Sequence, residues 1–480
     1  MIHKLTKIIA TIGPVTESEE MIERLITEGV NIFRFNFKHN TMDWHSERIE
    51  RVNMVAKRMG LSVGTLIDLQ GPEIRINMPT DFIEVHKNDL LLFGQEAFES
   101  KEKGLSISHP EIIEHLTEGQ KLLADDGVFT FYVQKKDGKV YLHSESDGKL
   151  MNRKSLNIPG ADFPFPVLVE RDFEGLQVAA RNEVDFVALS FVRTATDLQV
   201  VRSEMDKYKV HAKIVAKIET KKAIDNLDEI VDYTDAVMVA RGDLGVELPI
   251  EQVPHHQKVI IKKCLEKGIP VITATQMLQS MVDNPYPTRA EVSDIANATY
   301  DFTDAIMLSG ETASGKYPAE AVMSMQKTAK YNEQMNMCRD IRTKFDFKVK
   351  DQTDIMCDAA YSVYLSSLNE ENDIQAFVVF TETGRTAQAL SRYRPKVPVY
   401  AITPDSEIAE SLTICYGVTP IPGDQVDLDE KEVDRAGIMK TIHFLLEHKY
   451  ITFGQKVIIL HGDIWGVEGG TSTVKIMQVA

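Results

Sequence analysis

The sequence predicts an α/β protein: a (β/α)₈ TIM barrel, a small all-β lid domain inserted into it, and a separate α/β domain at the C-terminal end. Three observations predict this. Eight short, continuous, apolar runs alternate with helical patterns between residues 6 and 308. The spacing of about 30 residues that βαβ units require is broken once, between residues 69 and 186. From residue 335 the alternation begins again with a new set of strands.

The eight runs are 6–12 (TKIIATI), 32–37 (IFRFNF), 63–69 (VGTLIDL), 186–192 (FVALSFV), 212–218 (AKIVAKI), 236–240 (AVMVA), 270–276 (PVITATQ) and 305–308 (AIML). Each run is short, continuous and mainly apolar, as expected of parallel strands covered on both faces. The first spacer sets the helical pattern. Thr16-x-x-Glu19 reads as a capping box, Met21, Ile22, Leu25 and Ile26 form one apolar stripe, and Gly29 suits the helix end. Within the long gap, 82–85, 90–93, 121–123, 129–133 and 140–144 read as short strands punctuated by Asp126-Gly127 and Asp137-Gly138 turns. The expected division is a barrel from 1–75 and 160–334, a lid from 76–159 and a C-terminal domain from 335–480. The last contains strand-like runs at 374–380, 399–402, 418–421, 457–460 and 474–479. A lid that follows the third strand sits over the catalytic face of such a barrel.

Composition narrows the function. The 480 residues are 43% hydrophobic and 26% charged, the profile of a globular chain with ample apolar surface to bury. Lys and Arg number 54 against 72 Asp and Glu, a net charge of −18 that disfavours general nucleic-acid binding but not local pockets for small anions. Cys264, Cys338, Cys357 and Cys415 form no CxxC pair, and free thiols in a reducing cytosol are expected. Met1-Ile2-His3-Lys4 runs directly into the first strand with no signal-peptide pattern, and no window has the apolar length of a membrane span, so a cytoplasmic location is expected.

The chemistry-bearing residues gather at strand ends. Lys217 and Glu219 close the fifth run two residues apart, so they share a face of the strand. Ala240-Arg241-Gly242-Asp243 closes the sixth, which places Asp243 on the strand end next to Glu219. Two hard oxygen ligands there suit Mg²⁺, which keeps open positions for substrate and water; the plain alternative is a structural Lys–carboxylate cluster. Arg34 and Asn36 share a face of the second strand, Asp68 and Arg75 follow the third, Thr275 closes the seventh, and Ser309-Gly310-Glu311-Thr312 follows the eighth. Arg34, Arg75 and Lys217 with a metal fit a substrate that carries phosphate and carboxylate.

These segments resemble the pyruvate kinase family. TKIIATIGP (6–14), FRFNFKH (33–39), DLQGPEIR (68–75), KIE (217–219), MVARGDLGVE (238–247), ATQML (274–278), PTRAEVSDIANA (287–298) and LSGETASGKYP (308–318) are similar to its motifs. So are TGRTA (383–387) and SRYRPKVP (391–398) in the last domain. The resemblance implies phosphoryl transfer from phosphoenolpyruvate to ADP, giving pyruvate and ATP, in a homotetramer. It implies Lys217 and Arg34 at the transferring phosphoryl, and Mg²⁺, with Mn²⁺ as a substitute, on Glu219 and Asp243. It places Gly242, Asp243 and Thr275 at the substrate, and Thr275 with Ser309 in the relay that protonates the enolate. It assigns the nucleotide to Asn36, His39, Arg75 and, from the lid, Lys154.

Two departures from the family pattern carry expectations of their own. The second-strand motif reads Asn36-Phe37-Lys38-His39-Asn40, where the family usually has Asn-Phe-Ser-His-Gly. In potassium-dependent members that serine helps to bind a monovalent cation, with groups matching Asn36, Asp68 and the carbonyl of Leu69. Lys38 is expected to replace the ion with a tethered charge, so that potassium is not required. Leu69-Gln70 also replaces a common Thr-Lys pair, whereas Glu73 points the other way, since potassium-independent members typically carry lysine there. In the last domain Thr381, Thr383, Gly384, Arg385 and Thr386 match the effector phosphate loop, with Glu382 where lysine is frequent. A sugar monophosphate activator is expected there.

Two other functions compete. A barrel lyase using Mg²⁺ to stabilise pyruvate enolate has no nucleotide to enclose, which Arg75, Lys154 and the lid argue against. A non-catalytic or weakly active phosphometabolite-sensing relative is favoured only by Lys38, because Lys217, Glu219, Asp243 and Thr275 are all present.

Overall fold

Eight parallel strands close into a barrel in the computed structural model, which describes residues 4–100, 102–161, 163, 165–368, 373–428, 435–462 and 469–480. The strands are β1 (Lys7–Thr11), β2 (Ile32–Asn36), β3 (Gly64–Asp68), β4 (Phe186–Leu189), β5 (Lys213–Ile218), β6 (Ala236–Ala240), β7 (Val271–Ala274) and β8 (Ala305–Leu308). Each pairs with its neighbours in chain order, and β8 closes on β1 with Lys7 opposite Ala305. Every residue of β1, β3, β4, β6, β7 and β8 is buried, which is why these runs read as continuous apolar stretches.

Helix α1 (Glu19–Thr27) corrects the expected cap. Ser18 is the N-cap and accepts the Met21 N–H, so the Thr16-x-x-Glu19 box does not form. Thr16 is fully buried instead: its hydroxyl accepts the Gly13 N–H at 3.1 Å and donates to the Thr312 carbonyl at 3.0 Å. Helices α2 (Met42–Met59) and α3 (Glu170–Asn182) pack against each other after β2 and before β4.

Between β3 and α3 the chain forms a seven-stranded sheet and a two-stranded ribbon with a core of their own, in which Phe129, Phe131, Leu122 and Leu142 are buried. Among the described residues, nine strands lie in this region. Sequence reading found five, because pieces such as Ile76–Asn77 and Leu156–Asn157 are two residues long and show no periodicity. Asp137 and Gly138 both have positive φ (52° and 75°), the geometry of a tight hairpin turn.

The C-terminal strands β9 (Ile374–Phe380), β10 (Val399–Thr403), β11 (Val418–Pro422), β12 (Lys456–Gly462) and β13 (Thr471–Gln478) form one sheet in the order β11-β10-β9-β12-β13. Among the described residues, only the β12–β13 pair of this sheet is antiparallel. Among the described residues no helix is long and apolar enough to cross a membrane.

The C-terminal unit packs against the end of the barrel where the strands begin. A side chain at Gly64, the first residue of β3, would meet Thr413 Oγ1 at 2.4 Å. Beside it, Asp185 and Glu410 meet carboxyl to carboxyl, and Thr65 donates its N–H and hydroxyl to Asp185 at 2.7 and 2.9 Å. Burial pushes both carboxyl pKa values up, and for Glu410 the neighbouring Asp185, Glu183 and Asp405 add to it. Carboxyls with raised folded-state pKa values stabilise the fold below the ordinary carboxylate range. That contribution is lost as pH rises into the neutral range. Glu410→Gln is therefore expected to raise the thermal midpoint at pH 8 by about 2 °C and to leave it unchanged at pH 4; equal shifts at both would exclude a shared proton.

Candidate active site

Polar groups from several barrel strands meet where those strands end. Lys217 on β5 is 5% exposed. Its ammonium contacts Asp68 at 3.1 Å, Glu219 at 2.8 Å and the Ser190 hydroxyl at 2.8 Å. Arg34 on β2 donates to Asp68 through Nε at 2.8 Å and to the Thr11 hydroxyl at 3.0 Å. Asp68 thus serves two cations from strands on either side of its own. Burial acts to raise the Asp68 pKa, but Lys217 and Arg34 overcome it and bring it to about 2. Burial also opposes the charge on Lys217, and Asp68, Glu219 and Asp243 more than reverse it, so its pKa is raised.

Glu219 is balanced differently. Burial and the nearby negative charge of Asp243 outweigh Lys217, and its pKa is raised. One of its oxygens takes the Phe191 N–H at 2.8 Å and the other takes Lys217. A buried carboxylate that repels a second one is relieved by a divalent cation, so the Glu219–Asp243 pair fits Mg²⁺. Among the described residues no group of three or more His, Cys, Asp or Glu is placed to hold a metal. Two carboxylates would leave the remaining positions of a six-coordinate ion to substrate and water.

Thr275 follows β7 with φ +67°, an unusual backbone for a β-branched residue. Three contacts hold it there: Gly242 N–H donates to its hydroxyl at 2.8 Å, the hydroxyl donates to the Ala274 carbonyl at 2.7 Å, and Arg241 donates to its carbonyl at 2.6 Å. Gly242 and Thr275 are thus brought together. Ser309 follows β8 and gives its N–H to Glu311 at 2.8 Å; no hydrogen bond joins it to Thr275.

The second-strand loop is tightly organised. Asn36 Oδ1 accepts the Lys38 N–H at 3.2 Å. Buried His45 donates from Nε2 to the His39 carbonyl at 2.8 Å, and burial holds its pKa near about 4, so the ring is neutral. Lys38 Nζ lies 3.8 Å from Glu73 and 5.5 Å from the centre of the Phe191 ring. Its charge also acts on Asp68, Glu219 and His39. The Leu69 carbonyl accepts the Ser190 hydroxyl at 2.8 Å. All three groups expected around a monovalent ion, Asn36, Asp68 and Leu69, therefore already have protein donors.

A cavity of about 400 Å³ separates the barrel mouth from the inserted strands, with Lys38, Glu73, Phe191 and Asp243 on one side and Asp126 and Ser155 on the other. Arg75 stands at the junction, bonded to Glu73 and the Arg153 carbonyl, both at 2.8 Å. Lys154 pairs with Asp125 at 2.7 Å within the inserted region and touches neither Asn36 nor His39.

In the C-terminal unit, Gly384 adopts φ +80° and caps the helix Arg385–Ser391. Arg385 bonds Asp351 at 3.1 Å and Asp354 at 2.8 Å, Thr386 pairs with Thr471 at 2.8 Å, and one Glu382 oxygen is buried without a partner. Thr381 is buried and gives its N–H to the Ile402 carbonyl at 3.0 Å, and Thr383 is exposed.

Sequence reasoning passed over Ser190, Arg241 and His45. Ser190 is the one polar residue within the apolar run 186–192, a signal that was available. Arg241 acts on carbonyls and side chains far along the chain, and His45 on the His39 carbonyl six residues back, contacts that leave no pattern in sequence.

This chain is similar to known proteins of one family. The family model described as "Pyruvate kinase, barrel domain" matches residues 3–322, and that described as "Pyruvate kinase, alpha/beta domain" matches residues 357–477. Proteins named pyruvate kinase from Geobacillus stearothermophilus and Staphylococcus aureus (strain MRSA252) are each 39% identical to this chain, over 483 and 479 residues. One from Staphylococcus epidermidis is 38% identical over 479. Each match covers 99% of this chain and 80% of the relative.

Proposed function

Because this chain belongs to the pyruvate kinase family and so transfers the phosphoryl group of phosphoenolpyruvate to ADP, giving pyruvate and ATP, we propose how its own residues divide that work. Lys217 and Arg34 receive the negative charge of the transferring phosphoryl group, since both are buried cations held at the barrel mouth by Asp68. Glu219 and Asp243 hold the divalent cation, Mg²⁺ or Mn²⁺. When bound, that ion supplies charge neutralisation for the phosphate and the developing enolate. Gly242 and Thr275 take the substrate carboxylate in exchange for the hydrogen bond they make to each other. Thr275, with Ser309, then delivers a proton to the enolate. Asn36, His39, Arg75 and Lys154 take the nucleotide; Lys154 exchanges Asp125 for a phosphate. Lys38 supplies the positive charge of a monovalent ion beside Asp68, Leu69 and Asn36, so potassium is not required.

The observation that carries this reading is the buried Lys217 in contact with Asp68, Glu219 and Ser190 from three neighbouring strands. The test is pyruvate formation from phosphoenolpyruvate and ADP in a tetraalkylammonium buffer. Activity is expected with Mg²⁺, is abolished by chelation, and is unchanged by added potassium. Silence with and without potassium would favour the sensing relative instead.

A second proposal concerns residues 381–386, the candidate loop for a sugar monophosphate. Arg385 would have to leave Asp351 and Asp354 to meet it. A substrate saturation curve that no sugar phosphate alters would remove the effector. We further propose a homotetramer, to be checked by sedimentation; β13 lies at the open edge of its sheet with Ile476 exposed. The four free cysteines accord with a cytoplasmic setting.

A further inference from the structure

The first turn of α3, where the chain returns from the inserted strands, touches two loops of the active site with opposite charges. Arg171 directs its guanidinium at backbone carbonyls of the second-strand loop: Nε donates to Phe37, and Nη2 donates to His39 at 3.0 Å and to Asn40. Asp172, the next residue, turns to backbone N–H groups. It accepts from Gln70 at 2.8 Å and Gly71 at 3.2 Å, where the chain departs for the inserted strands, and from Val169 at 2.9 Å in its own helix cap. Asp172 is 1% exposed. The helix sits hard against both loops: a Cβ at Gly175, one turn on, would lie 2.8 Å from the Phe37 ring and 3.2 Å from the Leu69 side chain.

We propose that Arg171 and Asp172 form a two-headed clamp that positions the active-site loops from the return hinge of the inserted region. Arg171 fixes the loop that carries Lys38 and His39, and Asp172 fixes the exit of the chain at Gln70-Gly71. Carbonyls converging on one guanidinium and N–H groups on one carboxylate set the loops through their backbones, whatever side chains they carry. The functional half of this proposal rests on the roles given above to Lys38 and His39.

The test uses the full chain with Arg171→Ala, Arg171→Lys and Asp172→Asn, read by hydrogen exchange and by kinetics. Arg171→Ala is expected to speed exchange over residues 37–41 about tenfold or more and to spare 69–72; Asp172→Asn does the reverse. Arg171→Ala also raises KM for ADP about tenfold with KM for phosphoenolpyruvate unchanged, and added guanidinium restores it. Arg171→Lys, which keeps the charge but not the fork, falls between and serves if the alanine variant does not fold. Unchanged exchange over 37–41, or both variants loosening both segments alike, would overturn the clamp. Faster exchange with unchanged KM for ADP would support the clamp and overturn the nucleotide role of the loop.

Discussion

Lys217→Met lowers kcat by about 10³-fold or more, leaves KM for ADP within a few-fold, and costs stability in a pH-dependent way. The catalytic part follows from losing a preorganised cation at the transferring phosphoryl, a class of interaction worth about 10² to 10⁵ in rate. The stability part follows from the partners left behind. Asp68 and Glu219 are both 1% exposed and lose a counter-ion they share. Breaking such a buried pair costs about 3–5 kcal/mol. Asp68 keeps Arg34, but Glu219, whose pKa is already raised, is left without its cation; it takes up a proton and the damage shrinks in acid. The deficit therefore grows as pH rises through the neutral range. Steady-state kinetics and thermal melts at several pH values check both parts. A kcat within tenfold of the parent would remove Lys217 from the chemistry.

Lys38→Ser is expected to create a potassium requirement, if Lys38 supplies the charge proposed for it. A unit charge a few ångströms away at an effective dielectric of about 20 is worth about 3 kcal/mol, or about 10²-fold in rate. Its field falls on Asp68, Glu219 and His39 at once. The variant is expected to lose about this factor in tetramethylammonium buffer and to recover most of it with potassium. Lys38 shares Glu73 with Arg75, so part of its charge is already balanced and the loss falls short of a fully exposed ion's effect in an apolar site. Full activity of the serine variant without potassium would mean that the Lys38 charge is not used. Loss without rescue would mean that a diffusible ion cannot take its place.

The barrel was legible because its strands are buried on both faces and therefore read as unbroken apolar runs. The helix caps were less so: Thr16 and Ser18 both stand before an apolar stripe, and only packing against Thr312 decides which one is free to cap. The shortest inserted strands exist through pairing to distant partners, as Leu156–Asn157 does with residues 123 and 124, and two residues carry no period. In the site, Arg34, Asp68, Lys217 and Glu219 could be placed by strand parity alone. The pairing of Lys154 with Asp125, of Arg385 with Asp351 and Asp354, and of Arg171 with three carbonyls depends on loop paths that parity does not describe.

Arg241 has a consequence for how any mutational survey of this protein should be read. One guanidinium reaches the Ala274 and Thr275 carbonyls, the Met277 sulfur, Gln257 and Asp294, so two helices report to the backbone that carries the Thr275 hydroxyl. Changes at Gln257 or Asp294 are expected to lower turnover as well as stability, because each loosens the hold on a buried guanidinium. A screen that sorts positions by distance from the reacting atoms would file them as unexplained hits. Sorted by connection to Arg241, they belong to a keystone, where a fault far from the opening shows first in the shape of the arch.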